Sequence, residues 1–114
     1  MNRCLASLGV AVSFAVIGAT APVRAADEHE VHLAIRNHKF EPETLTVPAG
    51  VRIKLMVENQ DPTPEEFESA DLNREKVVVG KGTIAVYLGP LDAGKYHFFG
   101  DFHQETAQGD LIAQ

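Results

Sequence analysis

The chain has 114 residues and a formal net charge of −6. That length suits one small domain with a single core, and the acidic balance excludes recognition of nucleic acid or anionic lipid by charge. The one cysteine, Cys4, lies near the N-terminus, so the rest of the chain has no disulfide, thiolate metal site or cysteine nucleophile to draw on.

The first segment reads as a targeting sequence. Asn2-Arg3 is a short positive stretch, Leu5 to Ala21 is an apolar run of small residues, and Val23 and Ala25 stand at the −3 and −1 positions of a signal-peptidase site. This pattern predicts a secretory signal peptide over residues 1–25 and a domain over residues 26–114. The apolar run, roughly 17 residues, is borderline for a membrane span, which leaves an uncleaved anchor as the alternative. Cleavage implies an exported, periplasmic protein that does not span the membrane once processed. It also removes Cys4, Arg3 and Arg24, taking the net charge to −8.

The rest of the chain alternates with a period of two. "EVHLAIRN" sets Val31, Leu33 and Ile35 against His32, Ala34 and Arg36. In "HKFEPETLTVPAG", Phe40, Leu45 and Val47 are apolar anchors, while Pro42 and Pro48 bar a helix. "VRIKLMVEN" alternates again through Ile53, Leu55 and Val57. A polar connection from about Asp61 to Arg74 follows, with Phe67 and Leu72 as anchors. "EKVVVGKG", "TIAVYLGPL", "KYHFFG" and "GDLIA" complete the set. No segment carries a sustained helical period, so the pattern predicts an all-β sandwich with antiparallel strands throughout. "DEHEVH", at the start of the domain, is expected to be flexible and exposed.

Three pieces taken in order, "FEPETLTVPAG", "VENQDPTPEEFES" and "PLDAGKYHFFGDFHQETAQGDLIA", resemble the cupredoxin family over nearly the whole domain. The resemblance implies a cupredoxin-like Greek-key β-sandwich. In copper-carrying members the last loop reads Y-x-F-x-C, then a His and often a Met. Here Tyr96 and Phe98 match the aromatics, and Gly100 stands where the cysteine would be. His103 matches the histidine, Ala107 falls near the methionine, and Glu65 takes the place of the middle-loop histidine. A blue copper centre needs the thiolate, so electron transfer of that kind is excluded. The sequence is more similar to a cysteine-less branch with "EFES" and "DFH" signatures. That likeness implies bacterial ferrous-iron uptake beside an inner-membrane iron permease.

In this fold the middle and last loops meet at one end of the sandwich, which would gather Glu65, Glu66, Asp101, His103 and Glu105 as candidate metal ligands. Carboxylates with one imidazole suit iron or Cu(II), and carboxylates favour Fe(III) over Fe(II). If Phe67 is buried, Glu65 shares its direction while Glu66 and Glu68 point outward. Asp101 and His103 are expected to point to one side of an extended loop, with Phe102 packed inward or capping the site. His97 is expected at the surface. Whether Glu68 or His38 joins the site is left open by parity. No nucleophile elbow, phosphate loop or H-E-x-x-H pair is present, which argues against a hydrolase or transferase. The expected function is handling or oxidation of ferrous iron for a permease or a periplasmic iron-binding protein. The alternatives are a docking module without metal and a Cu(II) binder.

Overall fold

A computed structural model describes residues 9–18 and 28–114. The expected cleavage site and most of the expected signal peptide lie outside these residues. No helix among the described residues is long and apolar enough to cross a membrane.

The domain is all-β. Nine strands follow in order: β1 (Glu28–Arg36), β2 (Lys39–Glu41), β3 (Thr44–Val47), β4 (Arg52–Asn59), β5 (Glu65–Ser69), β6 (Arg74–Val78), β7 (Thr83–Leu88), β8 (Gly94–Gly100) and β9 (Gln108–Ala113). They form two sheets, ordered β2-β1-β4-β7 and β3-β9-β8-β5-β6. Among the described residues, the one helical element is a single 3₁₀ turn, Asp101–His103, between β8 and β9.

The alternating pattern translates directly into burial. Leu33 and Ile35 from β1, Ile53, Leu55 and Val57 from β4, and Val86 and Leu88 from β7 meet Leu45, Val47, Phe67, Phe98, Leu111 and Ala113 of the facing sheet. Three aromatics from β2, β5 and β8 interlock at one end. Phe40 stands edge-on to Phe98 at 5.0 Å and to Phe67 at 6.3 Å, both near-perpendicular, the arrangement that ring quadrupoles favour. Gly109 admits this cluster: a Cβ there would lie 2.4 Å from the Phe98 ring.

The expectation of antiparallel pairing throughout is corrected. β1 pairs with β4 in parallel, from Glu28↔Arg52 to Ile35↔Asn59, and β3 pairs with β9 in parallel. Alternation reports which face is buried and carries no information on strand direction. After β2 the chain crosses to the second sheet as β3, then returns as β4 running the same way as β1. Two further differences concern segment limits. "EHEVH" lies within β1, paired to β4, and is not a loose terminus. The long middle connection contains β5, which pairs with both β6 and β8.

β6 and β7 are edge strands of different sheets that lie beside one another. The open side of β7 is occupied by side chains from β6: Arg74 Nε–H donates to the Tyr87 carbonyl (3.1 Å) and Lys76 Nζ–H to the Ala85 carbonyl (3.3 Å).

Candidate metal centre

Glu65 opens β5 on the inward face, as its parity with Phe67 requires. It is 1% exposed. Its carboxylate accepts from Phe102 N–H (2.9 Å) and Glu66 N–H (3.0 Å) on one oxygen and faces His103 Nδ1 (2.6 Å) on the other. No buried side-chain polar atom lacks a partner among the described residues, so the carboxylate stands within a satisfied network, as burial demands.

Gly100 explains how a carboxylate fits there. A Cβ on Gly100 would lie 2.6 Å from the Glu65 carboxyl carbon and 2.7 Å from the Ala107 methyl. The space that a side chain at position 100 would need is thus filled by Glu65, with buried Ala107 closing the other side. The residues present therefore do not fit a blue copper ion: there is no sulfur, and its room is taken.

His103 ends the 3₁₀ turn and is held by the chain beyond it, since its carbonyl accepts from Thr106 N–H (3.2 Å) and Ala107 N–H (2.8 Å). Its ring stacks on that of His38, with centroids 3.6 Å apart and planes 13° from parallel. His38 arrives from the β1–β2 turn. That turn has two residues, Asn37 and His38, both with positive φ (52° and 58°). Asparagine tolerates this conformation; at the second position glycine is the usual choice, and a side chain there costs roughly 1–2 kcal/mol. Asp61, itself buried, receives the Asn37 N–H (2.8 Å) and the His38 N–H (3.0 Å), and lies 3.5 Å from His38 Nδ1. Burial by itself would raise the Asp61 pKa. The two backbone donors, with the charges of His38 and Lys81, outweigh burial and hold it below the ordinary carboxylate value.

The structure divides the expected ligands. His103 and Glu65 come together, and His38 joins them: one ligand-type atom from each lies within 4.8 Å of the others. Asp101 borders the same hollow as His38 and His103 but does not join their group, because the 3₁₀ turn rotates it away from His103. Its carboxylate instead meets Glu66 and Glu68 on the outer face of the second sheet, again within 4.8 Å. Glu75 of β6, paired across from Glu68, adds a fourth acid. The Glu75 carboxyl beside it, reinforced by burial and by the charges of Asp101 and Glu68, pushes the Glu66 pKa up to about 7. Burial, then Asp101 and Glu75, raise that of Glu68. Glu105 belongs to neither cluster; it lines an open hollow of about 510 Å³ with His38, His103 and Thr106. Phe102, expected to pack inward or cap the site, is 47% exposed on the same hollow. The sequence alone leaves the place of His38 open and does not single out Asp61. The available signal was the Asn37-His38 pair in a two-residue hairpin, which demands positive φ at both positions.

His97 stands outside the centre, half exposed on β8 as expected. Its Nδ1 faces the Asp110 carboxylate (3.0 Å) and its Nε2 the Gln108 Oε1 (2.6 Å), while the Gln108 amide donates to the Gln104 carbonyl. Both ring nitrogens thus face acceptors, which suits the imidazolium. The Asp110 partner, helped by Gln108 and Asp71 against the cost of burial, raises the His97 pKa. Because the folded value is the higher one, this contribution is complete below the unfolded value, near 6.5, and is lost as pH rises through the folded pKa. Melting curves across that window should show a small decline, below about 1 kcal/mol for so exposed a pair, absent in His97→Phe. An identical profile in the variant would contradict the assignment.

The family model for the cupredoxin-like domain matches residues 7–113. A protein of Rickettsia prowazekii (strain Madrid E), itself described as uncharacterized, is 52% identical over 83 residues; the match spans 73% of this chain and 66% of that relative's length. Among solved structures, auracyanin A, a blue copper protein of Chloroflexus aurantiacus, aligns with a TM-score of 0.67 at 15% identity, covering 77% of this chain and all of that one (100%). The metal-binding domain of a Cu(I)-exporting P-type ATPase of Streptococcus pneumoniae D39, solved with Cu(I), aligns at 0.65 with 10% identity, covering 78% and 92%. At such identities the likeness describes the fold alone.

Proposed function

The chain belongs to the cupredoxin-like domain family, and from that premise we propose that it is an exported, periplasmic protein that binds a transition-metal ion as cargo. Ferrous iron destined for an inner-membrane iron permease is the favoured cargo. The observation that carries the reading is the convergence of His38, Glu65 and His103 within 4.8 Å at one end of the sandwich, on the hollow that Glu105 also lines. Imidazole and carboxylate together suit borderline and hard ions, including Fe(II), Fe(III) and Cu(II). The neighbouring carboxylates Glu66 and Asp101 add negative charge, which favours the ferric state. Passage of the electron to an external one-electron acceptor is the oxidase form of this proposal.

Calorimetric titration with Fe(II) under anaerobic conditions, and separately with Cu(II), tests it. His103→Ala is expected to weaken binding roughly 5- to 150-fold, the equivalent of about 1–3 kcal/mol. Asp101→Ala should act in the same direction with a smaller effect. His103→Ala also takes a partner from buried Glu65, so its melting temperature should fall, whereas Asp101→Ala should melt as the wild type. Unchanged affinity in both variants would overturn the reading. The permease part has a separate check: an iron-permease gene beside this one supports it, and a copper-export gene in that place moves the cargo to copper.

One observation favours the second reading, a docking module without metal. The Glu65 carboxylate already has three partners and fills the space facing Gly100, so it braces the loop with no ion bound. Absence of binding for either ion would select it.

A further inference from the structure

A line of side chains runs from His97, on the outer face of the second sheet, to the hollow. His97 Nδ1 faces Asp110 Oδ1 (3.0 Å), and its Nε2 faces Gln108 Oε1 (2.6 Å). The Gln108 amide donates to the Gln104 carbonyl (2.6 Å), and the Gln104 amide donates to Asp101 Oδ1 (2.7 Å). Asp101 and Gln104 both border the hollow. The line thus joins β8 and β9 to the turn that carries His103.

Donor and acceptor roles along this line are forced. The Gln104 carbonyl can only accept, so the Gln108 NH₂ must face it and the Gln108 oxygen must face His97. Nε2 therefore needs a proton, and Nδ1 needs another to meet the Asp110 carboxylate. The imidazolium carries both; a neutral ring has one proton for two acceptors. With that proton on Nδ1, the Nε2 lone pair meets the Gln108 oxygen, and turning the amide over sets the same oxygen against the Gln104 carbonyl. With it on Nε2, the Nδ1 lone pair meets the Asp110 carboxylate. Each neutral arrangement forfeits one link. The charged groups facing His97 are Asp110 from β9 and Asp71 from the β5–β6 turn, which accepts the His97 N–H (2.9 Å). Lys95 of β8, 3.6 Å from the other Asp110 oxygen, offsets part of their charge.

We propose that His97 is a pH-sensitive latch on the last loop: as the imidazolium it holds Gln104 through Gln108 and keeps the wall of the hollow in place, and as the neutral ring it lets that wall loosen. His97 acts in this way without bordering the hollow itself. The change falls above the ordinary histidine value, near 6.5, because Asp110 above all raises the His97 pKa. The loop is therefore held on the acid side of that point and looser on the alkaline side. None of His38, Glu65 and His103 belongs to the line, so the latch stands apart from the metal-binding reading.

Nuclear magnetic resonance between about pH 5 and 9 tests it, with each histidine ring titrated by its own signals. Hydrogen-exchange protection of the Thr106 and Ala107 N–H groups, which close the loop onto the His103 carbonyl, reports the state of the loop. In wild type this protection, corrected for the intrinsic pH dependence of exchange, should fall on the order of 2- to 5-fold as the His97 ring loses its proton. That is less than a full hydrogen bond, since the line is exposed to water. Gln108→Leu cuts the line at an exposed position. Its His97 ring should still titrate, while the loop shows the low protection at every pH. Gln108→Glu keeps an acceptor for the imidazolium but cannot donate to the Gln104 carbonyl, so its loop should also be loose throughout while its His97 pKa rises further. Three results would overturn the inference: loop protection that stays flat through the His97 titration, protection that follows the His38 or His103 ring instead, or a response that survives in both Gln108 variants.

Discussion

Replacing Glu65 with alanine is expected to destabilise the domain by about 3–5 kcal/mol. The carboxylate joins two segments through three contacts: the start of β5 through Glu66 N–H, and the 3₁₀ turn through Phe102 N–H and the His103 ring. Its removal orphans two backbone donors, each costing roughly 1–3 kcal/mol when buried, and opens a void beside Gly100 and Ala107. A loss of that size is a large part of the roughly 5–15 kcal/mol that keeps a small domain folded. Glu65→Gln retains one acceptor oxygen and the volume, so it should cost less than half as much. Urea unfolding of the three proteins measures this, and an alanine variant within about 1 kcal/mol of wild type would show that the network does not brace the loop.

Gly100→Cys is expected to leave the protein without a blue copper centre, although it places sulfur where the copper-carrying pattern has it. The new Cβ would begin 2.6 Å from the Glu65 carboxyl carbon and 2.7 Å from the Ala107 methyl. Overpacking of this kind costs typically 1–3 kcal/mol, and the displaced carboxylate would also lose donors. Cu(II) added to the variant should give no intense visible band. The double variant Gly100→Cys/Glu65→His should be more stable than the two single changes predict when added, since the positions share one space and their effects must couple. Additive losses, or an intense band in the single variant, would show that the Glu65 carboxylate is not what excludes the thiolate.

Much of the fold was legible because alternation maps directly onto burial: Leu33, Ile35, Ile53, Leu55 and Val57 all point inward as their spacing requires. Glu65 was legible for the same reason, through its parity with Phe67. Strand direction was not, because parallel β1–β4 and β3–β9 pairing depends on where the chain crosses between sheets. The separation of Asp101 from His103 was also hidden. A two-residue spacing brings side chains to one side only if the backbone is extended, and here it coils into a 3₁₀ turn. Asp61 was invisible because its role is to receive backbone N–H groups 23 and 24 residues away. Such an interaction leaves no local pattern in the sequence.

The side chains that Arg74 and Lys76 lay across β7 have a consequence for how the molecule tolerates being concentrated. An uncovered edge strand invites a second chain to add itself, and a row of such additions grows into a fibre. The neighbourhood otherwise looks suited to this, with Val77, Val79 and Tyr87 all largely uncovered (48%, 66% and 55%). Yet the two carbonyls that an incoming strand would need first, at Ala85 and Tyr87, already have cationic donors. An approaching backbone would have to displace two charge-assisted bonds before forming any of its own. Copies that meet at this edge would also bring Arg74 and Lys76 against their own kind. The seam between the sheets is thus a dead end for polymer growth.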